Sequence, residues 1–263
     1  MLYKQIHVNT AINVITQKDN LFHGNYTIDP YQNCEFSCSY CDSSFDSIIY
    51  VKTNIIEILK KELNKLKKGR IIIGSVHDPY QKIEKKYKLT RDVIKIIKKN
   101  NFSCHILTKS DLILRDIDLL KSMDSIVTIS IISNKSTIIN NFEKNVSITK
   151  KRFKTVKKLN ENGIKSGIAI IPILPYIVDE ELEELIKYSK KNNAQYVLSK
   201  HLELKGDQKN IFFKNLEKNY PNLLNKYEKL YQNSYIPKDD YINDFTKKIG
   251  RYCLKYNIKK SLF

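Results

Sequence analysis

Residues 33–42 read NCEFSCSYCD and contain three of the five cysteines of the chain, Cys34, Cys38 and Cys41. Their spacing is C-x3-C-x2-C. Three thiolates this close together can bind one inorganic centre, and they leave one iron of a cubane iron–sulfur cluster without a protein ligand. An iron with an open coordination position can bind a second molecule. The spacing therefore predicts a catalytic cluster rather than a four-cysteine electron carrier.

Other uses of these thiols stay open at this point. A structural zinc ion takes four protein ligands, and His23 or Asp42 is the candidate for the fourth. Three unrelated free thiols are a further alternative, because motif matches carry a false-positive rate. Cys104 and Cys253 stand apart from the motif, and each is typical of an ordinary buried thiol.

Length and composition indicate one α/β domain. The 263 residues with 41% hydrophobic content permit a normal core. No apolar run approaches the about 20 residues that a membrane span needs, so we expect no membrane partner. The chain begins MLYKQ without an apolar leader, so we expect it in the reducing cytoplasm, where disulfides are rare.

The net charge of +18 comes from 46 Lys and Arg against 28 Asp and Glu. Because Lys and Arg neutralise phosphates, a basic groove for nucleic acid is one explanation of this charge. The alternative is a Lys-rich solvated surface, since Lys, Asn and Ile are abundant everywhere, as an AT-rich genome would impose. Charge alone makes nucleic acid a candidate substrate without selecting it.

Strand-like and helix-like segments alternate from Tyr26 to about residue 200. Six segments are typical of strands: 26–28, 70–74, 105–108, 125–132, 166–171 and 195–199. Helical spacing of apolar residues is clearest at 54–66, 90–99, 149–160 and 179–191. This alternation predicts a parallel sheet with right-handed crossovers, open or closed into a barrel, with its active site at the carboxyl ends of the strands.

The alternation stops after residue 200, where two helices rich in Tyr and Lys follow with breaks at prolines. We therefore expect an N-terminal lead-in at 1–25 and a barrel core at 26–200. Residues 201–263 are predicted to be a helical extension of the same domain that covers the open side of the sheet.

Polar residues and a glycine cluster where the predicted strands end. They are Gly74, Ser75, His77, Tyr80, Lys109, Ser130, Glu143 and Arg152. A ligand with a carboxylate and ribose hydroxyls would use Lys109 as a point charge and Ser130 or Glu143 for its hydroxyls. Gly74 would let the backbone approach the ligand closely. Each has an ordinary alternative, such as a solvated lysine or a plain ion pair of Glu143 with Arg152.

The motif Cys34-x3-Cys38-Ser39-Tyr40-Cys41, with an aromatic residue before the last cysteine, resembles the signature of the radical S-adenosylmethionine (SAM) superfamily. The resemblance implies an α/β fold, a TIM-like partial (β/α)6 barrel with parallel strands. It also implies a [4Fe-4S] cluster whose open iron is chelated by SAM. An electron from a reductant such as flavodoxin or ferredoxin would cleave SAM to methionine and a 5′-deoxyadenosyl radical, which abstracts hydrogen from a substrate.

Within that superfamily the chain resembles the spore photoproduct lyase branch and its DNA repair photolyase-like relatives. The similarity rests on the blocks DPY at 29–31, GSVHDPYQ at 74–81, TKSDLILRD at 108–116, FE at 142–143, RF at 152–153 and PILP at 172–175. This resemblance makes damaged or modified nucleic acid the leading expectation for the substrate.

Carried over residue by residue, the family pattern implies that the three cysteines of the motif bind the cluster. Tyr40 would lie along the adenine of SAM through its backbone, and Lys109 would hold the methionyl carboxylate. Ser130 would contact SAM. Ser75 and His77 would border both SAM and substrate.

The chain departs from spore photoproduct lyases where the hydrogen donor is expected. Those enzymes carry a cysteine just after the second strand, where this chain has Ser75-Val76-His77. A serine O–H bond is too strong to replace a thiol, which leaves Cys104 or Tyr80 as candidate donors and His77 as a candidate proton shuttle. A peptide or small metabolite is therefore an alternative substrate, and a zinc-stabilised nucleic-acid-binding module is the non-enzymatic alternative.

Overall fold

The computed structural model describes residues 1–44 and 47–263. The strands are β1 Leu2–Ile6, β2 Asn13–Val14, β3 Tyr26–Ile28, β4 Tyr31–Gln32, β5 Ile48–Lys52, β6 Arg70–Ile73, β7 Ser103–Thr108, β8 Ser125–Ser130, β9 Lys165–Ile173 and β10 Val197–His201. The α-helices are α1 Ile55–Leu63, α2 Glu84–Tyr87, α3 Leu89–Lys99, α4 Ile117–Leu120, α5 Ser136–Phe142, α6 Thr149–Glu161, α7 Leu182–Lys191, α8 Gly206–Asn219, α9 Leu224–Leu230 and α10 Asp239–Lys255.

The larger sheet of the described residues has the strand order β10-β9-β8-β7-β6-β3-β2. The six strands from β3 to β10 in this order are mutually parallel, and β2 joins the edge antiparallel to β3. The parallel strands lie side by side in the order in which they occur in the chain, and helices lie in the connections between them. The predicted partial (β/α)6 barrel is therefore confirmed, including all six parallel strands.

The crossover helices bury one face against the sheet because their apolar residues recur at helical spacing. In α3, Val93, Ile94 and Ile97 are fully buried, while Lys95 and Lys99 are exposed. Each such buried side chain contributes about 1.5–3 kcal/mol relative to an exposed one. The sheet is covered in this way, so its strands read as continuous apolar runs such as residues 71–73.

A smaller three-stranded sheet, in the order β1-β5-β4, lies outside the sequence expectations. Its strands are short, and β1 pairs in parallel with β5 from Leu2–Ile48 to Ile6–Lys52. A partner more than forty residues away along the chain leaves no local signal in the sequence. Helix α5 is a second element that the periodicity did not indicate, and the division at residues 25 and 200 stays a prediction.

Among the residues that the structure describes, no helix has both the length and the apolar character needed to cross a bilayer.

Candidate active site

The cysteine loop, residues 33–44, follows β3 and β4 and is clamped by the segment after β6. Gln81 accepts a hydrogen bond from the backbone N of Glu35 at 2.8 Å and donates to the carbonyl of Asn33 at 2.8 Å. The carboxylate of Glu35 accepts from the backbone N of Ile83 at 2.9 Å. Both Gln81 and Glu35 are buried, and each compensates that burial by bonding backbone groups. The loop shape is thereby held from one side.

Helix α8 holds the other side of the loop. The amide of Asn215 donates to the Ser39 hydroxyl at 3.0 Å, and the amide of Gln208 donates to the carbonyl of Tyr40. The backbone N of Ser39 also donates to the carbonyl of Phe142, at the end of α5, at 2.9 Å. Helix α8 and the end of α5 therefore position the residues between the second and third cysteines.

A cavity of about 370 Å³ opens at the carboxyl ends of the parallel strands. All three cysteines of the motif line it. Five further predicted residues line the same cavity: Tyr40, Gly74, Ser75, Lys109 and Ser130. The structure thus brings eight of the predicted site residues together, as the topology of a parallel sheet led us to expect.

Two of the three thiols of this cavity, Cys34 and Cys38, are buried, and Cys41 is partly exposed. Burial raises the pKa of the Cys34 thiol to about 12, and the charge of Asp78 adds to that rise. Burial also raises the pKa of Cys38, against the lowering effect of the Lys109 ammonium. Burial lowers the pKa of Lys109 itself, but the neighbouring anionic groups, Cys38 first, outweigh it and hold that pKa above its usual value. Lys109 therefore stays cationic at neutral pH.

Gly74 follows β6 with φ of +85°, a conformation that favours glycine. A Cβ atom placed on Gly74 would lie 2.4 Å from Cδ of Pro79 and 2.6 Å from the carbonyl oxygen of Leu107. The chain therefore needs glycine here both for its backbone angle and for the close approach of β7.

Glu143 and Arg152 lie behind the cavity wall and are not among its lining residues. Both side chains are fully buried, and Nη2 of Arg152 donates to the Glu143 carboxylate at 2.5 Å. The hydroxyl of Tyr40 donates to the other oxygen of Glu143, and Nη1 of Arg152 donates to the carbonyl of Ser130 at 3.0 Å. The pair thus orients two lining residues, Tyr40 and Ser130.

Burial alone would raise the pKa of Glu143. The charges of Arg152 and Lys109, together with the hydrogen bonds from Tyr40 and Arg152, outweigh burial and hold this pKa below its ordinary value of 4.5. The carboxylate is therefore ionised at neutral pH, and the ion pair is complete.

His77 lies between two residues that line the cavity, Val76 and Asp78, but is not itself among the lining residues. Its backbone N donates to the Asp29 carboxylate at 3.3 Å, and the Ser75 hydroxyl donates to the same carboxylate at 3.4 Å. Nδ1 of His77 is buried and has no hydrogen-bond partner among the described residues. Burial lowers the pKa of His77, against the opposing charge of Asp29, so the neutral imidazole is favoured near pH 7.

The other two catalytic candidates lie away from the cavity. Tyr80 is buried, and its hydroxyl donates to Asp116 at 2.9 Å in a network that includes Arg115. Cys104 is fully buried near the start of β7, whereas the cavity lies at the end of that strand beside Lys109. Neither Tyr80 nor Cys104 is therefore among the residues that line the cavity.

The sequence model of the radical SAM superfamily matches residues 28–189. The chain belongs to the radical SAM superfamily. An uncharacterized protein of Methanocaldococcus jannaschii is 37% identical over 214 residues, which cover 74% of this chain and 76% of that protein. An uncharacterized protein of Mycobacterium bovis is 24% identical over 255 residues, which cover 89% of this chain and 75% of that protein.

Solved radical SAM structures share the fold. A mutant spore photoproduct lyase with bound AdoMet and dinucleoside spore photoproduct superposes with a TM-score of 0.72 at 16% identity, covering 100% of this chain and 82% of that chain. SuiB of Streptococcus suis bound to precursor peptide SuiA gives a TM-score of 0.59 at 14% identity, covering 89% of this chain and 47% of that chain. At these identities the likeness shows the fold.

Membership of the superfamily implies SAM and an iron–sulfur cluster, and the donor set of the cavity fits them. Three thiols supply soft ligands on one side, and a lysine supplies a cation for a carboxylate. Within residues 1–44 and 47–263, no three His, Cys, Asp or Glu side chains form a group that could hold a single metal ion. Thiolates of a cubane cluster bind different irons, so they need not converge on one point.

His23, a candidate fourth zinc ligand, packs against Phe263 with ring centroids 5.2 Å apart and lies beside Arg70, at the opposite end of the sheet from the cysteines. Asp42, the other candidate, lines the cavity that contains the three thiols, with its carboxylate 4.0 Å from Sγ of Cys41. The structure therefore brings only Asp42 of these two candidates to the thiols.

The cavity that contains the three thiols also has a wall at the end of β10, which no sequence motif predicted. It includes Lys200, His201, Glu203 and Lys205. The ammonium groups of Lys200 and Lys205 pair with Glu203 at 2.7 and 2.8 Å. The stretch KHLELK at 200–205 carries the signal, because polar residues at the carboxyl end of any strand in a parallel sheet are site candidates.

We expect Gly74→Ala to lower the free energy of unfolding by about 3 kcal/mol. The strained positive φ and the overpacking against Pro79 and Leu107 each cost roughly 1–3 kcal/mol. Gly163→Ala is the matched control, because Gly163 also has a positive φ but nothing lies within 4 Å of its added Cβ. Urea unfolding measures both variants, and equal losses would contradict the steric part of the argument.

The Glu143–Arg152 pair predicts a pH-dependent effect of Glu143→Gln. The pKa of Glu143 in the folded protein lies below its ordinary value of 4.5. The charge of Glu143 therefore stabilises the fold at any pH above 4.5, and this stabilisation is lost as the pH falls through the pKa of the folded protein. We therefore expect the difference in unfolding free energy between wild type and variant to be largest near about pH 7 and to shrink near about pH 4. A difference that does not change with pH would show that Glu143 is not ionised in the folded protein.

Proposed function

We propose that the chain uses a [4Fe-4S] cluster bound by Cys34, Cys38 and Cys41 to cleave SAM reductively and to abstract hydrogen from a substrate. When bound, the reduced cluster supplies the electron that converts SAM to methionine and a 5′-deoxyadenosyl radical. The observation that carries the proposal is the placement of these three thiols in one cavity with Lys109 and Ser130, at the carboxyl ends of a radical SAM barrel.

Lys109 is the residue that we assign to the SAM carboxylate. Its backbone N donates to Asp78 at 2.7 Å, and Asp78 also accepts from the Thr108 hydroxyl at 2.7 Å, so the end of β7 is fixed to the loop after β6. Nζ of Lys109 lies 5.8 Å from the centroid of the Tyr40 ring, beside the cysteine loop. A fixed cation next to the thiols would orient a zwitterionic amino acid group toward them.

Ser130 and Tyr40 are the lining residues that the buried Glu143–Arg152 pair holds in place. We assign Ser130 to a contact with SAM and the backbone of Tyr40 to the adenine side. In this proposal Glu143 and Arg152 are positioning residues, because their polar groups are engaged by protein partners.

Nucleic acid is the leading candidate for the substrate. Two observations support it: the net charge of +18, and the fold shared with a spore photoproduct lyase whose structure holds a dinucleoside photoproduct. The cavity itself is electrically balanced, because three lysines and three Asp or Glu residues line it. Contact with phosphates would therefore come from the surface around the cavity.

A peptide or a small metabolite is the second candidate substrate. The balanced charge of the cavity favours it, because a polyanion is not selected by equal numbers of both signs. The fold is also shared with SuiB, which binds a precursor peptide.

The proposed reaction does not include a thiol as the hydrogen donor that ends the cycle. All five cysteines lie within the described residues, and only the three of the motif line the cavity. Ser75 follows β6, and its hydroxyl donates to Asp29. A reaction that depends on a cysteine at this position is therefore not supported.

Cys34→Ala is expected to abolish formation of 5′-deoxyadenosine from SAM. The assay uses protein reconstituted anaerobically with iron and sulfide and reduced with dithionite. Cys253→Ala is the control, since Cys253 is a buried cysteine in α10 outside the cavity, and it should retain the wild-type iron content and activity. Full activity of Cys34→Ala would refute the proposal, and about one zinc with no iron per chain after anaerobic purification would favour a zinc-binding module.

Salt-dependent binding separates the two candidate substrates. If nucleic acid is the substrate, the affinity for an oligonucleotide falls steeply as salt rises, because each phosphate contact releases counterions. Fluorescence anisotropy with single- and double-stranded oligonucleotides at about 50 and 200 mM salt measures this slope. Binding that is absent, or insensitive to salt, would favour a peptide or small metabolite.

A further inference from the structure

A second cavity, of about 420 Å³, lies on the outer side of the cysteine loop. The side chain of Phe36 lines this outer cavity and also lines the cavity that contains the three thiols. Phe36 stands between Cys34 and Cys38 in the sequence and is 3% exposed. One aromatic side chain therefore separates the proposed cluster site from a surface that a second protein can reach.

The outer face is basic because its acidic residues point inward. The segment QKIEKKYK at 81–88 has four lysines, all exposed, and one glutamate, Glu84, that is fully buried and paired with Arg115 at 2.6 Å. Glu35 of the cysteine loop is also buried and accepts from the backbone of Ile83. Lys82 and Lys85 line the outer cavity directly.

Two further features leave this positive charge on the surface. Asp111 is the single carboxylate among the described lining residues, and it accepts a hydrogen bond from the Ser147 hydroxyl at 2.5 Å. Lys144 is exposed next to the loop, and its backbone N donates to the carbonyl of Phe36 at 3.3 Å. Lys82, Lys85 and Lys144 therefore lie close to Phe36 on this face.

We propose that this face docks an acidic one-electron carrier protein, which reduces the cluster across Phe36. The inference rests on the proposed function, because it needs a cluster on the three thiols. In the transfer the carrier loses one electron and the cluster gains it, and no bond forms or breaks. Interfaces of redox partners are small and are steered by opposite charge, and both properties fit a lysine-rimmed cavity.

A nucleic acid is the other polyanion that a basic face attracts. The side chain of Phe36 lies between this face and the cavity that contains the three thiols. A nucleic-acid strand bound to this face would therefore not place a nucleotide in the proposed active site. The observations therefore favour the carrier protein.

The test compares the double variant Lys82→Glu/Lys85→Glu with Lys259→Glu/Lys260→Glu. Lys259 and Lys260 are exposed and line a cavity at the opposite end of the barrel, near the start of β10, so both variants make the same change in net charge. Reduced flavodoxin serves as the acidic carrier and dithionite as the small reductant. The rate of cluster reduction is followed by absorbance, and the reduced cluster is counted by electron paramagnetic resonance.

We expect Lys82→Glu/Lys85→Glu to slow reduction by flavodoxin at least roughly tenfold at low salt, because steering by charge changes association rates by 10- to 1,000-fold. Reduction by dithionite and the iron content should match the wild type, which shows that the variant is folded and loaded. Lys82→Arg/Lys85→Arg and the Lys259/Lys260 variant should keep the wild-type rate with flavodoxin, and added salt should slow the wild type.

Equal slowing by both glutamate variants would overturn the proposal, because net charge rather than this face would then control the rate. Loss of oligonucleotide binding in Lys82→Glu/Lys85→Glu with unchanged flavodoxin reduction would also overturn it and would assign the face to nucleic acid. Failure of the proposed function looks different: the wild type would then hold no iron or would not be reduced by dithionite.

Discussion

The whole site depends on a polar clamp that lets a cysteine-rich loop be buried without leaving its backbone unsatisfied. The side chain of Gln81 bonds two backbone groups of the loop on one side. On the other side, Gln208 of α8 donates to the backbone carbonyl of Tyr40, and Asn215 of α8 donates to the Ser39 hydroxyl. A buried backbone group without a partner costs free energy comparable to a lost hydrogen bond. The clamp therefore permits a short, irregular loop to hold three thiols at the edge of the sheet.

A second constraint is the buried ion pair of Glu143 with Arg152. Removing one partner of such a pair leaves an uncompensated buried charge, which is strongly destabilising. The pair also accepts a hydrogen bond from the Tyr40 hydroxyl and donates to the carbonyls of Ser130 and Ser147. The buried ion pair thus holds two residues of the cavity wall, Tyr40 and Ser130, in place.

Charge is distributed unevenly between the surface and the cavity. The cavity carries equal numbers of lysines and carboxylates, whereas the outer face of the cysteine loop exposes lysines and buries its glutamates. A net charge of +18 therefore says little about what enters the active site. It bears more directly on which macromolecules approach the protein, and from which side.

The sequence by itself determined the six-stranded parallel core and the three thiols on one loop, because apolar periodicity and cysteine spacing are local properties. It also implied that residues at strand ends would meet, and Gly74, Lys109 and Ser130 do so. Only the tertiary structure decided which polar residues face the cavity. Tyr40 meets Glu143 and Gln208 across 103 and 168 residues of sequence, and such contacts depend on side-chain direction and helix docking, which no local pattern encodes.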